Sequence, residues 1–119
     1  LSLYKYIIID EVYADFYPKY SLLKNGNSKL LIVKSLSKSL GIAGVRVGFC
    51  KASSKITKKL QTVRMSQITS SFARMIVPKV ISNTRSVIKR MLQSKKYLEN
   101  KYECKKSYSN FVLFKKKIN

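Results

Sequence analysis

The chain contains no histidine. A His-ligated metal centre and every His-based catalytic triad are thereby excluded. Acids are scarce: five Asp and Glu stand against 25 Lys and Arg in 119 residues, a formal charge of +20. Cysteine occurs twice, at Cys50 and Cys104. That is no disulfide framework, and both read as inert small hydrophobes. No apolar run approaches the roughly 20 residues that cross a bilayer, so a membrane partner is not expected. Arginine is rare among the cations, 5 against 20 lysines, yet it is the better reader of base edges and phosphates. The basic residues are scattered, apart from short runs at 105–106 and 115–117. Ser, Ile, Asn and Tyr are plentiful, so the charge reads as AT-rich compositional bias, and a nucleic-acid partner is not expected.

What remains is a globular composition, 45% hydrophobic, long enough for one domain or parts of two. The chain opens on Leu1 and runs almost directly into an apolar segment. No charged region followed by a long apolar stretch marks a signal peptide. The expectation is a piece of something larger, cytoplasmic by default.

Residues 4–10 (YKYIIID) form a β-branched run ending in acids, the pattern of a strand buried on both faces. Residues 15–29, with Pro18 and an Asn-Gly-Asn cluster, read as a connection. Residues 30–35 (LLIVKS) predict a second buried strand and 45–50 (VRVGFC) a third, with a turn at 37–41. Strands so close together predict neighbours in one mixed sheet. The second half is helical. Ile56, Leu60 and Val63 predict a helix over 53–65, capped by Ser53 or Ser54. Phe72, Met75 and Ile76 predict another, interrupted near Pro78. Ile81, Thr84, Ile88, Met91, Leu92, Lys95 and Leu98 form the stripe of a longer helix over 81–102. A loop over 102–109 leads to a last strand at 110–115 (NFVLFK). The change in character predicts a domain junction near residue 75.

Two segments carry chemistry. One is Asp10-Glu11-Val12-Tyr13 at a strand end; the other is Ser35-Leu36-Ser37-Lys38, followed by Gly41, Gly44, Arg46 and Gly48. In open α/β sheets ligands bind beyond the carboxyl ends of the strands, where Asp10 and Lys38 both fall. Lys38 is a candidate for imine formation with an aldehyde. Asp10 suits a protonated ring nitrogen, and Tyr13 a ring oxygen. Ser35, Ser37 and Arg46 offer two hydroxyls and a guanidinium fork for a phosphate. The glycines permit tight turns around it. Glu11 and Asp15 read as structural or interface residues, and the helical stripe as core.

The runs IIIDEVYADF and KSLSKSLGIAGVRVGF resemble the core of the fold-type I pyridoxal-phosphate aminotransferases of class I/II. Together with the SYSNF run at 107–111, they are most similar to the histidinol-phosphate aminotransferase branch. The resemblance covers nearly the whole chain, most tightly residues 6–50. It implies an α/β fold, a fragment of the pyridoxal-phosphate-dependent transferase fold. Residues 1–75 would be the C-terminal part of the large domain with its mixed sheet, and 76–119 the start of the small C-terminal domain. Pyridoxal 5'-phosphate is the implied cofactor. Lys38 matches the catalytic lysine that binds it and later shuttles the proton. Asp10 matches the pyridinium partner, Tyr13 the residue on the phenolic oxygen, and Ser35, Ser37 and Arg46 the phosphate contacts.

The implied reaction is transfer of an amino group between an amino acid and a 2-oxo acid, usually in a homodimer. A complete enzyme of this kind is about three times longer. The resemblance therefore implies that a phosphate loop, a ring-stacking aromatic, an asparagine and the substrate-carboxylate arginine are absent, so a fragment inactive alone is expected. A complementing N-terminal chain is a possible partner. Two alternatives stand beside this: a related decarboxylase or lyase, such as threonine-phosphate decarboxylase, and a non-catalytic polyanion-binding remnant.

Overall fold

The structure, a computed structural model, describes residues 3–65 and 69–115. Its centre is a three-stranded sheet in the order β1 (Ile7–Asp10), β2 (Leu30–Ser35), β3 (Gly48–Ala52). β1 and β2 run parallel, with Ile9 opposite Ile32; β2 and β3 run antiparallel, with Val33 opposite Cys50. This is the mixed sheet expected from the sequence. The parallel pair needs a crossover connection. Residues 11–29 supply it with two short 3-10 turns, Ala14–Phe16 and Pro18–Tyr20.

Strand alternation assigns two faces. Leu30, Ile32 and Lys34 of β2 are buried on one, with Ile7 and Ile9 beside them; Leu31, Val33 and Ser35 lie on the other, with Ile8 and Asp10. β1 is not buried on both faces as its composition predicts. It is an edge strand, and Ile8 is 71% exposed. The described residues cover one face of the sheet well and the other poorly, so its unbroken apolar run is only half used. The radius of gyration, 17.3 Å, exceeds the ~13.5 Å of a compact domain of this length.

β2 passes directly into α1 (Leu36–Ser39), a single helical turn where the sequence predicts only a turn. Ser35 caps it: its Oγ accepts from the Ser37 N–H at 3.1 Å. Gly41 follows at φ +69°, the left-handed conformation that ends a helix and favours glycine. β3 starts at Gly48, not at Val45. Residues Ala43–Val45 form a 3-10 turn, and Arg46 is left-handed at φ 56°, outside regular strand geometry.

α2 (Ser54–Val63) and α3 (Ser71–Val80) follow. α3 runs through Pro78 rather than breaking there. The bond Pro78 cannot donate is to the Arg74 carbonyl, and both residues are exposed, where water can replace it. The break comes later, in the 3-10 turn Ile81–Asn83, so the long helix α4 spans Thr84–Lys101. α4 packs on α1 and on the 14–16 turn. Its expected stripe is largely inward, but Ile81 is 48% exposed and outside it. Lys95 is buried because its Nζ donates to the Ser107 carbonyl and pairs with Glu99. The expected strand at 110–115 shrinks to β5 (Leu113–Phe114), paired antiparallel with β4 (Cys104–Lys105), which lies within the predicted loop. Of the basic run at 115–117, the last two residues lie outside the described residues. No helix among the described residues is long and apolar enough to cross a membrane.

Candidate functional site

The first site segment leaves the sheet at the end of β1. The Glu11 N–H donates to the Val33 carbonyl at 2.8 Å, so the parallel ladder continues one residue past Asp10. Asp10 accordingly lies on the sparsely covered face and Glu11 on the buried one. The Asp10 carboxylate accepts from the Val12 N–H at 2.9 Å. Tyr13 follows at the edge of the 14–16 turn, with its ring edge-on to Phe111, centroids 5.9 Å apart. Tyr17 packs on Tyr108 at 4.8 Å. These two contacts bring the SYSNF segment against the first site segment.

The second segment is β2 running into α1. Ser35, Ser37, Lys38 and Arg46 line one open cleft of about 300 Å³, together with Val12 and Gly48. Arg46 reaches this cleft from a strained backbone, a conformation that clusters at ligand sites. It is held there by its own N–H on the Ala43 carbonyl at 3.3 Å and, next door, by the Leu36 N–H on the Val47 carbonyl at 3.1 Å. The Lys38 Nζ lies 5.8 Å from the Tyr13 ring centroid, within cation–π range. Tyr13 is thus brought to Lys38 directly. Asp10 does not line the cleft; it reaches it only through its bond to Val12.

The scarcity of acids makes their pairing informative. Lys34 pairs with Asp15 and Glu11, Lys95 with Glu99, and Lys115 with Glu103. The ion pairs among the described residues leave out only Asp10 among the five acids, and they leave out Lys38. Among the described residues, Asp10 and Lys38 therefore take part in no ion pair. The cleft itself presents donors: an ammonium, a guanidinium and two hydroxyls, the set that binds a phosphate. Its donor chemistry fits pyridoxal phosphate, with Asp10 as the unpaired acid nearby. Lys106 and Lys115 are held above the ordinary lysine value, by side-chain hydrogen bonds to Tyr108 and to Glu103 respectively. Neither lines the cleft. Among the described residues no group of three or more acids and cysteines is arranged to hold a metal.

Three contributors carry little signal in the sequence. For Lys34 it is the register with Leu30 and Ile32, which demands a buried acid. Phe111 and Tyr108 belong to a late run, and nothing local predicts their contacts with Tyr13 and Tyr17.

Comparison with known proteins gives the same direction. The model of the family "aminotransferase class I and II" matches residues 4–106. The chain is 44% identical over 59 residues to the histidinol-phosphate aminotransferase of Buchnera aphidicola subsp. Cinara cedri, covering 48% of this chain and 17% of that protein. It is 33% identical over 76 residues to that of Thermoanaerobacter pseudethanolicus, covering 63% of this chain and 22% of that protein. Against that of Bacillus cytotoxicus it is 26% identical over 110 residues, 88% of this chain and 30% of that protein. The chain thus spans between about a sixth and a third of the length of these curated relatives.

Proposed function

Because the chain belongs to the class I and II aminotransferase family, whose members depend on pyridoxal phosphate, we propose that it is the cofactor-anchoring part of an aminotransferase similar to the histidinol-phosphate enzymes. The observation that carries this is the shared cleft of Ser35, Ser37, Lys38 and Arg46, with Tyr13 against Lys38. Bound there, pyridoxal phosphate supplies the aldehyde and the electron-withdrawing ring on which amino-group transfer between an amino acid and a 2-oxo acid depends.

The chain's own residues do the rest. Arg46 neutralises phosphate charge with a guanidinium fork, and the Ser35 and Ser37 hydroxyls donate to the same group. Ser35 Oγ accepts from the Ser37 N–H, which leaves its own O–H free to donate outward. Lys38 would hold the cofactor's aldehyde through its Nζ, and as a free amine the same atom would be placed to move a proton. Asp10 holds the proton on the ring nitrogen, and Tyr13 donates its O–H to the ring oxygen.

Residues 1–75 then belong to the large, cofactor-binding domain and 76–119 to the start of the small one. Substrates are an amino acid and a 2-oxo acid, and no residue of the cleft is assigned to the substrate carboxylate. The complete enzyme is a cytoplasmic homodimer. A complementing chain would supply the missing positioning groups, which contribute much of the catalytic effect. The chain by itself is not expected to turn over substrate.

The test is cofactor trapping. The chain is incubated with limiting pyridoxal phosphate, reduced with borohydride and mapped by mass spectrometry, with Lys38→Ala and Arg46→Ala alongside. Preferential labelling of Lys38, weakened by Arg46→Ala, is expected. Label spread evenly over the 20 lysines would overturn the reading.

A further inference from the structure

The least exposed charged side chains among the described residues, Lys34 and Glu11, do not line the cleft. Lys34 is 4% exposed and Glu11 5% exposed. The Lys34 ammonium is bound by the Asp15 carboxylate and lies 4.0 Å from Glu11 Oε2. Glu11 is engaged on its other sides. Its Oε2 accepts from the Ser21 hydroxyl at 2.6 Å and its Oε1 from the Leu22 N–H at 2.5 Å. Glu11 adjoins Asp10 and is two residues from Tyr13, while Lys34 adjoins Ser35 and is four residues from Lys38. The cluster therefore joins the two site segments to each other and to residues 21–22.

Alternation along the strand gives the cluster its meaning. Side chains of successive residues point to opposite faces. With Lys34 and Glu11 facing each other on the buried face, Ser35 and Asp10 are turned to the opposite one. A buried ion cluster of this kind adds little net stability over a well-packed apolar one, but breaking it leaves uncompensated charge. Its value lies in orientation.

We propose that Lys34 is a positioning residue for the cofactor site, fixing the Asp10–Tyr13 turn against the Ser35–Lys38 segment through Glu11 and Asp15. This rests on the cofactor reading above, so the test separates the two. Amide hydrogen exchange is measured first, without cofactor, on the wild-type chain, Lys34→Met, Lys34→Arg and Asp15→Asn. Lys34→Met is expected to lose at least tenfold protection at residues 10–13 and 21–22 while α4 keeps its protection. Lys34→Arg is expected to restore it. Pyridoxal-phosphate affinity of the same variants should fall at least tenfold in Lys34→Met and recover in Lys34→Arg. If Lys34→Met does not fold, Asp15→Asn, at a less buried partner, decides on the same readouts. Unchanged protection at 10–13, or a uniform loss that includes α4, refutes the positioning role. A wild-type chain with no preference for labelling Lys38 refutes the cofactor reading instead, and the exchange data then still decide whether Lys34 orders the turn.

Discussion

Gly48→Ala is the substitution whose effect the structure defines most sharply. Gly48 opens β3 opposite Ser35. A Cβ built there would meet the Lys34 carbonyl oxygen at 2.7 Å, where ordinary contact begins at 3.4 Å. The strand must therefore retreat by about 0.7 Å, and the obstacle is backbone, which cannot rotate away. Overpacking of this kind costs about 1–3 kcal/mol. Gly44 is the internal control. It lies in the neighbouring 3-10 turn, its Cβ would meet nothing within 4 Å, and its φ is not positive. Gly44→Ala should be neutral, or stabilising by about 0.4–1 kcal/mol through the unfolded chain. The two variants should differ by about 2 kcal/mol. With a urea m-value of about 1–3 kcal/mol/M, that is a midpoint shift on the order of 1 M, readable by circular dichroism. Gly48→Ala should also weaken pyridoxal-phosphate retention, because β3 holds Val47 on Leu36 and Arg46 beside the cleft. Equal urea midpoints for the two alanines would refute the reasoning.

Burial contrasts on the two sheet faces give a second expectation: Ile32→Ala, at 1% exposure, should cost about 2–5 kcal/mol, whereas Ile8→Ala on the open face should stay within about 0.5 kcal/mol; comparable losses in urea unfolding would contradict the assignment of faces. Ser39 is fully buried and its Oγ has no hydrogen-bond partner among the described residues. Ser39→Ala removes an unsatisfied group that costs about 1–3 kcal/mol, so the thermal midpoint should rise; a fall would show that the hydroxyl is bonded in solution.

Much of this was readable in the sequence because it is local. The acid-terminated Ile run, the LLIVKS strand and the S-L-S-K turn each carry their own pattern, and the sheet forms from them as expected. What was hidden depends on partners. Arg46 gives no sign in the sequence of its left-handed backbone, so β3 was expected to begin three residues early. The Ile7–Ile9 run announces hydrophobicity on both faces, but burial of Ile8 requires a covering layer that the described residues do not provide. The 110–115 run has strand composition, yet its pairing partner is only the two residues of β4. Lys34 is the most instructive omission. Its position in register with Leu30 and Ile32 announces a buried cation, whereas composition presents it as one more lysine among twenty.

The pairing of the acids ties these observations together. In a chain of charge +20, every carboxylate is surrounded by candidate partners. Glu11, Asp15, Glu99 and Glu103 all take such a partner. Asp10 takes the Val12 N–H instead. A backbone donor fixes the carboxylate without neutralising it, and strand alternation keeps it on the face opposite Lys34. Lys38 faces an aromatic ring rather than a carboxylate, with its Nζ 5.8 Å from the Tyr13 ring centroid. Under the proposed function these are two of the groups that would meet the cofactor, Asp10 at the ring nitrogen and Lys38 at the aldehyde. Lys34 meanwhile engages Glu11 and Asp15, the two acids that follow Asp10 in the chain.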